Sequence, residues 1–355
     1  MAPSVLIHAA VFAAGAVVGG VGAAVASKRT TPGPTTATTT AAVPGGPVTP
    51  PSVPPKPVVQ MNDKGGARIT DIEPVGALVS PVLKYGNPGP IADALVRKAY
   101  VAAYDRRLRH PAWTAEHLTL ASLGKSALVA GPEASEAGDR GKSTFVEDPS
   151  IPAMFRAKLS DYFRSGYDRG HMVPAADAKI SQAAMDETFL LSNIAPQVGD
   201  GFNRHYWAYL EDWCRKLTGA FADVYVFTVP LYLPKQDPDG KWRVHYEVIG
   251  NPPNVGVPTH FAKVVLASRP ASPATPDVHE LSIGAFALPN AVIPDEAPLE
   301  GFVVPVDAVE RAAGLTLFSD EVKNAAKHIC KTTKCQVTVR RFDDARKKAI
   351  GAPKK

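Results

Sequence analysis

The chain has 355 residues, 39 Lys or Arg against 34 Asp or Glu, a formal net charge of +5 and three cysteines. At ~150 residues per domain that length allows about two domains, and the ordinary composition excludes a collagen, a coiled coil and a wholly disordered chain. Three cysteines exclude a dense disulfide scaffold, leave at least one thiol unpaired within the chain, and lack the spacing of a zinc site. The charge is unevenly spread: +3 over residues 1–60, +7 over 317–355, and 25 basic against 30 acidic residues between them. The basic character belongs to the two ends, so a core that handles a polyanion must do so with a few placed cations.

Residues 5–26 carry no formal charge. As a helix rising ~1.5 Å per residue they would cross a bilayer core of ~30 Å. Gly15 and Gly19 have the spacing of closely packed helices, and Lys28 and Arg29 follow directly. Residues 1–29 therefore read as a membrane anchor or targeting segment; a cleaved secretory signal ending near Ala24-Val25-Ala26 is the other reading. Residues 31–60 hold nine prolines and one charge, too little apolar surface to offset ordering, so 30–60 is expected to be a disordered, semi-rigid Pro/Thr-rich spacer. The main domain is expected over 61–316 and a basic extension over 317–355. That extension has a helical patch from Ser319 to Ile329 and reads as a solvated face or a nucleic-acid contact. Cys330 and Cys335 either close a small disulfide loop or remain as two thiols.

Within the main domain, Tyr100–Tyr104 and Trp113–Thr119 read as strands joined by a turn at Arg107–Pro111, a hairpin. Ile151–Phe163 has helical spacing after Pro149-Ser150. Thr188–Ile194 reads as a short buried strand. Asn203–Leu217 is the clearest helix. Asp223–Leu233, Trp242–Ile249, His260–Ala267 and Leu281–Leu288 alternate or run apolar and read as strands, with Asp239-Gly240 turning between the first two. Strands outnumber helices and tight βαβ alternation is missing, so the expected class is α+β with a mixed or antiparallel sheet.

The chemistry concentrates in Asp168-Arg169-Gly170-His171. A fixed cation, a permissive backbone and a titratable base stand in succession there. Ser192-Asn193-Ile194-Ala195-Pro196-Gln197 follows about twenty residues later. Asn203, Trp207, Glu211 and Arg215 then recur at intervals of four, drifting only ~40° per step, so they share one stripe of the helix. Read alone, Glu211 and Arg215 could be a surface ion pair. Read together, these residues supply what phosphodiester hydrolysis needs: His171 as base for the attacking water, Asn203 as a neutral oxygen for a hard cation, Glu211 as acceptor for the cation's waters, and Arg169 and Arg215 to balance phosphate charge. A metal with a single protein ligand also accounts for the lack of a carboxylate cluster in the sequence.

These segments, with Phe163-Arg164-Ser165-Gly166-Tyr167 and Val257-Pro258-Thr259-His260-Phe261, resemble the endonuclease G group of DNA/RNA non-specific endonucleases, in the ββα-metal superfamily. The resemblance covers roughly residues 64–290. It implies a ββα-metal core, a central sheet flanked by helices, and a Mg²⁺ cofactor with Mn²⁺ as substitute. It implies that His171 is the general base, Asn203 the sole direct protein ligand of the metal, Glu211 the acid orienting its waters and Arg169 the signature arginine. Asn193 and Arg215 match residues that support phosphate binding or the site, and Arg107 is a candidate for a flanking phosphate. Asp168 and Gly170 give the signature its shape. The resemblance further implies a homodimer, cleavage of DNA and RNA to 5′-phosphate ends, and residence at the mitochondrial inner membrane or intermembrane space. It also implies relocation to the nucleus after release, with a part in DNA degradation during cell death. Val229 departs from it, since the group has Gly there, which leaves the local strand geometry open. Two other functions remain to be weighed: a membrane-tethered nucleic-acid-binding module without catalysis, and a hydrolase of small phosphodiesters. No zinc finger or helix-turn-helix is apparent, so base readout is expected to be weak.

Overall fold

A computed structural model of the chain describes residues 90–125 and 137–339. The anchor and spacer expected at 1–29 and 30–60 lie outside the described residues, and no helix within them is long and apolar enough to cross a membrane.

In chain order the main strands are β1 (Ala92–Val96), β2 (Tyr100–Asp105), β3 (His110–Leu118), β4 (Asp168–His171), β5 (Ile194–Gln197), β6 (Asp223–Leu231), β7 (His260–Ser272), β8 (Thr275–Pro289), β9 (Val303–Val304) and β10 (Lys327–His328). Eight of them form one sheet in the order β1-β2-β3-β6-β7-β8-β9, with β10 also on the outer edge of β8. Every pairing in it is antiparallel except β8 with β10. The sheet is mixed and the class is α+β, as expected. Strands β4 and β5 form a separate two-stranded ribbon. Helix α1 (Gln182–Thr188) lies between them in sequence, α2 (Trp207–Leu217) follows β5, and α3 (Val306–Ala313) follows β9.

The period-two alternation of β6 and β7 builds a core on both faces of the sheet. Val224, Val226, Phe261 and Val265 face the layer that contains Trp207, Leu210, Cys214 and Leu217 of α2. Val229, Leu231, Ala262 and Val264 face the opposite way, onto Val309 of α3. Val229 sits in unbroken register with Ala262 and is fully buried. The strand takes a valine there without distortion, which closes the question that residue raised. Pro230 lacks an N–H, and it lies beyond Thr114–Thr228, where pairing with β3 ends.

Three local expectations are corrected. Ile151–Phe163 is not one helix; it holds a tight turn at Ala153–Phe155 and a single helical turn at Leu159–Tyr162. Side chains take the backbone groups that a helix would have used: Arg156 donates to the carbonyl of Pro149, and Asp161 accepts from the N–H of Lys158. Thr188–Ile194 is the end of α1 followed by a turn at Leu191–Asn193, and the strand starts only at Ile194. Trp242–Ile249 is strand only at its ends, Trp242–Arg243 and Val248–Ile249. Its alternation is not core patterning, because Val244 and Tyr246 are exposed.

The largest correction concerns the basic extension. Residues 317–339 are integral to the fold. Ile329 is fully buried against Gly284 of β8, where a side chain on the glycine would collide with it. Thr332 donates to the Ser282 hydroxyl, and the carbonyl of Lys334 accepts from the Trp213 indole at 3.0 Å. Cys330 and Cys335 are disulfide-bonded, and Cys214 is the free, buried thiol. The tail therefore braces one flank of α2, which its net charge did not suggest. Truncating the buried plug, Ile329→Ala, should cost ~2–5 kcal/mol, as at a central core position. Urea unfolding checks this, and a loss under about 0.5 kcal/mol would show the tail to be peripheral.

Candidate active site

The site is assembled where the β4–β5 ribbon meets the entry to α2. Asp168 pairs with Gln197 and His171 with Ile194 across the ribbon. At Gly170 the two strands approach so closely that an added Cβ would lie 2.1 Å from Oε1 of Gln197, itself fully buried. Asn203 sits in a wide π-type turn, Gly199–Tyr206, that leads into α2. Its N–H donates to the carbonyl of Val198, five residues back, at 2.9 Å. Gly201 makes this turn possible with φ of 74°. Such π-turns occur often at functional sites, because the extra residue re-aims a side chain.

Asp168 links the two elements. One of its oxygens accepts from Nδ2 of Asn203 at 2.9 Å and from Nε of Arg204 at 2.8 Å; the other accepts from Nη2 of Arg204 at 2.6 Å. These donors hold its carboxyl below the usual range, against the opposing effect of burial. The bond also orients the Asn203 amide. With its nitrogen given to Asp168, its carbonyl oxygen is left over, and no donor among the described residues reaches it.

His171 is 8 % exposed. Its ring lies against Phe189 at 4.8 Å and Phe145 at 5.3 Å between centroids. Burial, and secondarily the charge of Arg140, push its pKa down to about 3. Its Nε2 is buried with no hydrogen-bond partner among the described residues. Burial thus favours the neutral ring, which keeps an unused polar atom. The guanidinium of Arg169 lies 4.4 Å over Phe145, and that of Arg140 lies 5.6 Å over Phe189.

Glu211 is half-buried, and no donor among the described residues engages it. Burial raises its carboxyl to about 7, while Lys263 and Arg215 pull the other way. It forms no ion pair with Arg215. Arg215 instead meets Asp177 at 2.7 Å. Beneath them lie Glu116 and Lys263, both buried in the sheet. Burial and Asp177 keep Glu116 protonated well above the ordinary range, and Lys263 donates to Thr228 at 2.8 Å with its ammonium 4.9 Å from the Trp207 ring.

Beside this constellation runs a cleft of about 500 Å³, lined by Arg140, Phe145, Phe163, Arg164, Asp168, Arg169, Asn203 and Arg204 among others. A neutral imidazole, a free amide oxygen, an unpaired carboxyl and a wall of arginines suit an anionic ester and a hard cation.

The family model of the DNA/RNA non-specific endonucleases matches residues 78–324. The chain belongs to this family. It is 52% identical over 259 residues to the mitochondrial Nuclease 1 of Schizosaccharomyces pombe, covering 73% of this chain and 76% of that protein. It is 41% identical over 232 residues to the mitochondrial Endonuclease G of Homo sapiens, covering 65% and 71%. Among solved structures, a chain from a crystal structure of the EndoG/EndoGI complex aligns with a TM-score of 0.59 at 44% identity, covering 70% of this chain and 94% of that one. The protein is thus a non-specific endonuclease that hydrolyses phosphodiester bonds in nucleic acid, with a ββα-metal fold. The family is metal-dependent, and the donors fit a hard cation: one oriented neutral oxygen, and no cluster of three His, Cys, Asp or Glu among the described residues that would hold a softer ion.

The structure brings Asp168, Asn203 and Arg169 to the wall of the cleft, with His171 behind Phe145. Three residues expected at the substrate lie away from the cleft lining. Asn193 is fully buried; its amide donates to the carbonyls of Val173 and Thr188 and accepts from the N–H of Val173, so it shapes the chain after His171. Arg215 is committed to Asp177 below Glu211. Arg107 is exposed on the β2–β3 turn beside Asp105 at 3.6 Å and is not part of the cleft lining. Arg140, Phe145, Arg204 and Lys263 were not anticipated. Lys263 alone had a visible signal, a single charge in the middle of the apolar run Phe261–Ala267.

Gly170→Ala should cost ~1–3 kcal/mol by overpacking against a side chain that cannot swing away, and should lower nicking because the ribbon carrying His171 must shift. Unfolding and plasmid nicking measured together check this; wild-type values in both would mean the close approach is not constraining.

Proposed function

We propose that this chain is a Mg²⁺-dependent, sugar-non-specific endonuclease, Mn²⁺ serving as substitute, in which His171 activates the attacking water and the products carry 5′-phosphate ends. The observation that carries the reading is the pairing of an orphaned, neutral His171 with an Asn203 whose carbonyl oxygen is freed and aimed by Asp168. Asn203 would hold the metal directly and Glu211 would accept hydrogen bonds from its waters. When bound, the ion supplies charge stabilisation at the phosphoryl group and the leaving oxygen.

His171 takes a proton from water through Nε2. Burial makes the free ring a weak base; an anionic phosphate beside it favours the protonated form and raises basicity where proton transfer needs it. Arg169 is the exposed cation nearest in sequence and offers charge to the phosphate. Arg215 and Lys263 act through Glu211, favouring its ionised form. Contacts to phosphate and metal carry no base information, which fits low sequence specificity.

The names of the relatives, mitochondrial nucleases from yeasts and human, support a mitochondrial location for this chain. Residence at the inner membrane or intermembrane space, anchored through residues 1–29, relocation to the nucleus with a part in DNA degradation, and a homodimer complete the proposal; these follow from the family resemblance. The tethered binding module without catalysis is disfavoured, because a non-catalytic protein has no need for an orphaned imidazole on β4 and an amide oriented by Asp168 of the same strand.

His171→Ala and Asn203→Ala should each reduce Mg²⁺-dependent plasmid nicking by at least ~10²-fold while leaving circular dichroism unchanged; retention of more than about a tenth of the activity would sink the assignment. The pH profile gives a second check. Glu211 must be ionised to accept from the metal's waters, and its pKa is raised, so activity falls as pH drops through about 7 at limiting Mg²⁺. Saturating Mg²⁺ opposes the raised value and moves this limb to lower pH. Burial holds the free His171 ring neutral across this range, and Glu211→Gln should abolish the limb along with most activity. An acid limb that does not respond to Mg²⁺ would assign it to another group.

A further inference from the structure

The cleft beside His171 has one wall that phosphate chemistry does not explain. Phe163 lines it and is 72% exposed. An isolated exposed phenylalanine on open surface needs no explanation, but this one lies among Arg140, Arg164, Arg169 and Arg204 in a cationic channel. The backbone holds it there. Arg164 adopts φ of 53°, rare for a residue with a side chain, and Gly166 adopts φ of 85°. Ser165 fastens the turn: its hydroxyl donates to the carbonyl of Tyr162 at 3.0 Å and accepts from the N–H of Tyr167 at 3.2 Å. The Arg164 guanidinium lies 5.1 Å over one side of the Phe163 ring. A fixed turn thus presents an aromatic ring to the channel with a cation behind it.

We propose that Phe163, backed by Arg164, is a stacking platform for an unpaired base of the nucleic-acid strand that enters the cleft, and that it sets a preference for single-stranded over duplex substrate. Every base has a π-face, so stacking adds affinity without reading sequence. Bases in a duplex are already stacked and paired, and gain nothing without being flipped out. The inference rests on the reading of the cleft as the path of the substrate, and deepens it by naming the conformation of the strand that the site prefers.

The test is binding of fluorescein-labelled oligonucleotides to the full chain in EDTA, by anisotropy, so that cleavage plays no part. The probes are a single-stranded oligonucleotide, its duplex, and an all-abasic strand of the same length. Phe163→Ala should weaken the single strand about tenfold and change the duplex and the abasic strand by less than about twofold. Phe163→Trp should retain single-strand binding. Equal losses on all three probes would overturn the proposal, since the residue would then act through shape or charge. No loss on the single strand would overturn it too. So would a change of oligomeric state in Phe163→Ala by light scattering with binding intact, which would assign the ring to contact with a second copy. A wild-type chain that binds the strand in EDTA and does not cut it with Mg²⁺ would refute the catalytic reading while leaving the platform standing.

Discussion

Asp168 joins two elements that would otherwise meet at no fixed angle. It closes the β4–β5 ribbon at one end and accepts from Asn203 and Arg204 in the π-type turn at the other. The bond to Asn203 selects which face of a symmetric-looking amide is left for a cation. The Asp168 carboxylate is engaged by Asn203 and Arg204, and its charge is balanced by Arg204. In the proposed site one neutral protein donor would suffice, because the partner that orients a ligand matters about as much as the ligand. Gly170 belongs to the same constraint, since the ribbon must close tightly for Asp168 and His171 to stand where they do.

Under α2 the protein maintains charges that would be costly alone. Lys263 and Glu116 lie in the sheet face that α2 covers, with Asp177 and Arg215 alongside. Burying an unpaired charge costs several kcal/mol, and the cluster offsets it through the Arg215–Asp177 pair, the Lys263–Thr228 hydrogen bond and a protonated Glu116. Its effect on the site is to pull the Glu211 carboxyl back toward the ionised state against burial. One flank of the same helix is held by the disulfide-closed tail through Trp213 and Lys216. Helix α2 is thus fixed by charge beneath and by the tail along one flank.

Much of this was legible from particular residues. Strands β6, β7 and β8 follow from alternation, and α2 from its spacing, because their patterns report burial on one face. His171, Asn203 and Glu211 could be singled out as candidates because their motifs recur in the order and spacing of the family. The segment from Ile151 to Phe163 misled because periodicity does not reveal that Arg156 and Asp161 would take over its backbone bonds. Asn193 and Arg215 were recognised as part of the site, but sequence does not distinguish a side chain that touches phosphate from one that braces its neighbours. The tail misled because charge dominates its composition, while its structural role rests on one isoleucine and two cysteines. Arg140 and Phe145 come to the site through a long irregular segment, and no periodic signal marks them.

The central claim is that Asn203 holds the metal because Asp168 aims it. The most direct test is the Mg²⁺ concentration for half-maximal plasmid nicking by Asp168→Ala beside wild type, with folding verified by thermal unfolding. The account predicts a rise of about 10–100-fold in the Mg²⁺ requirement, with much of the rate recovered at high Mg²⁺. An unchanged Mg²⁺ requirement in a folded Asp168→Ala protein would contradict it.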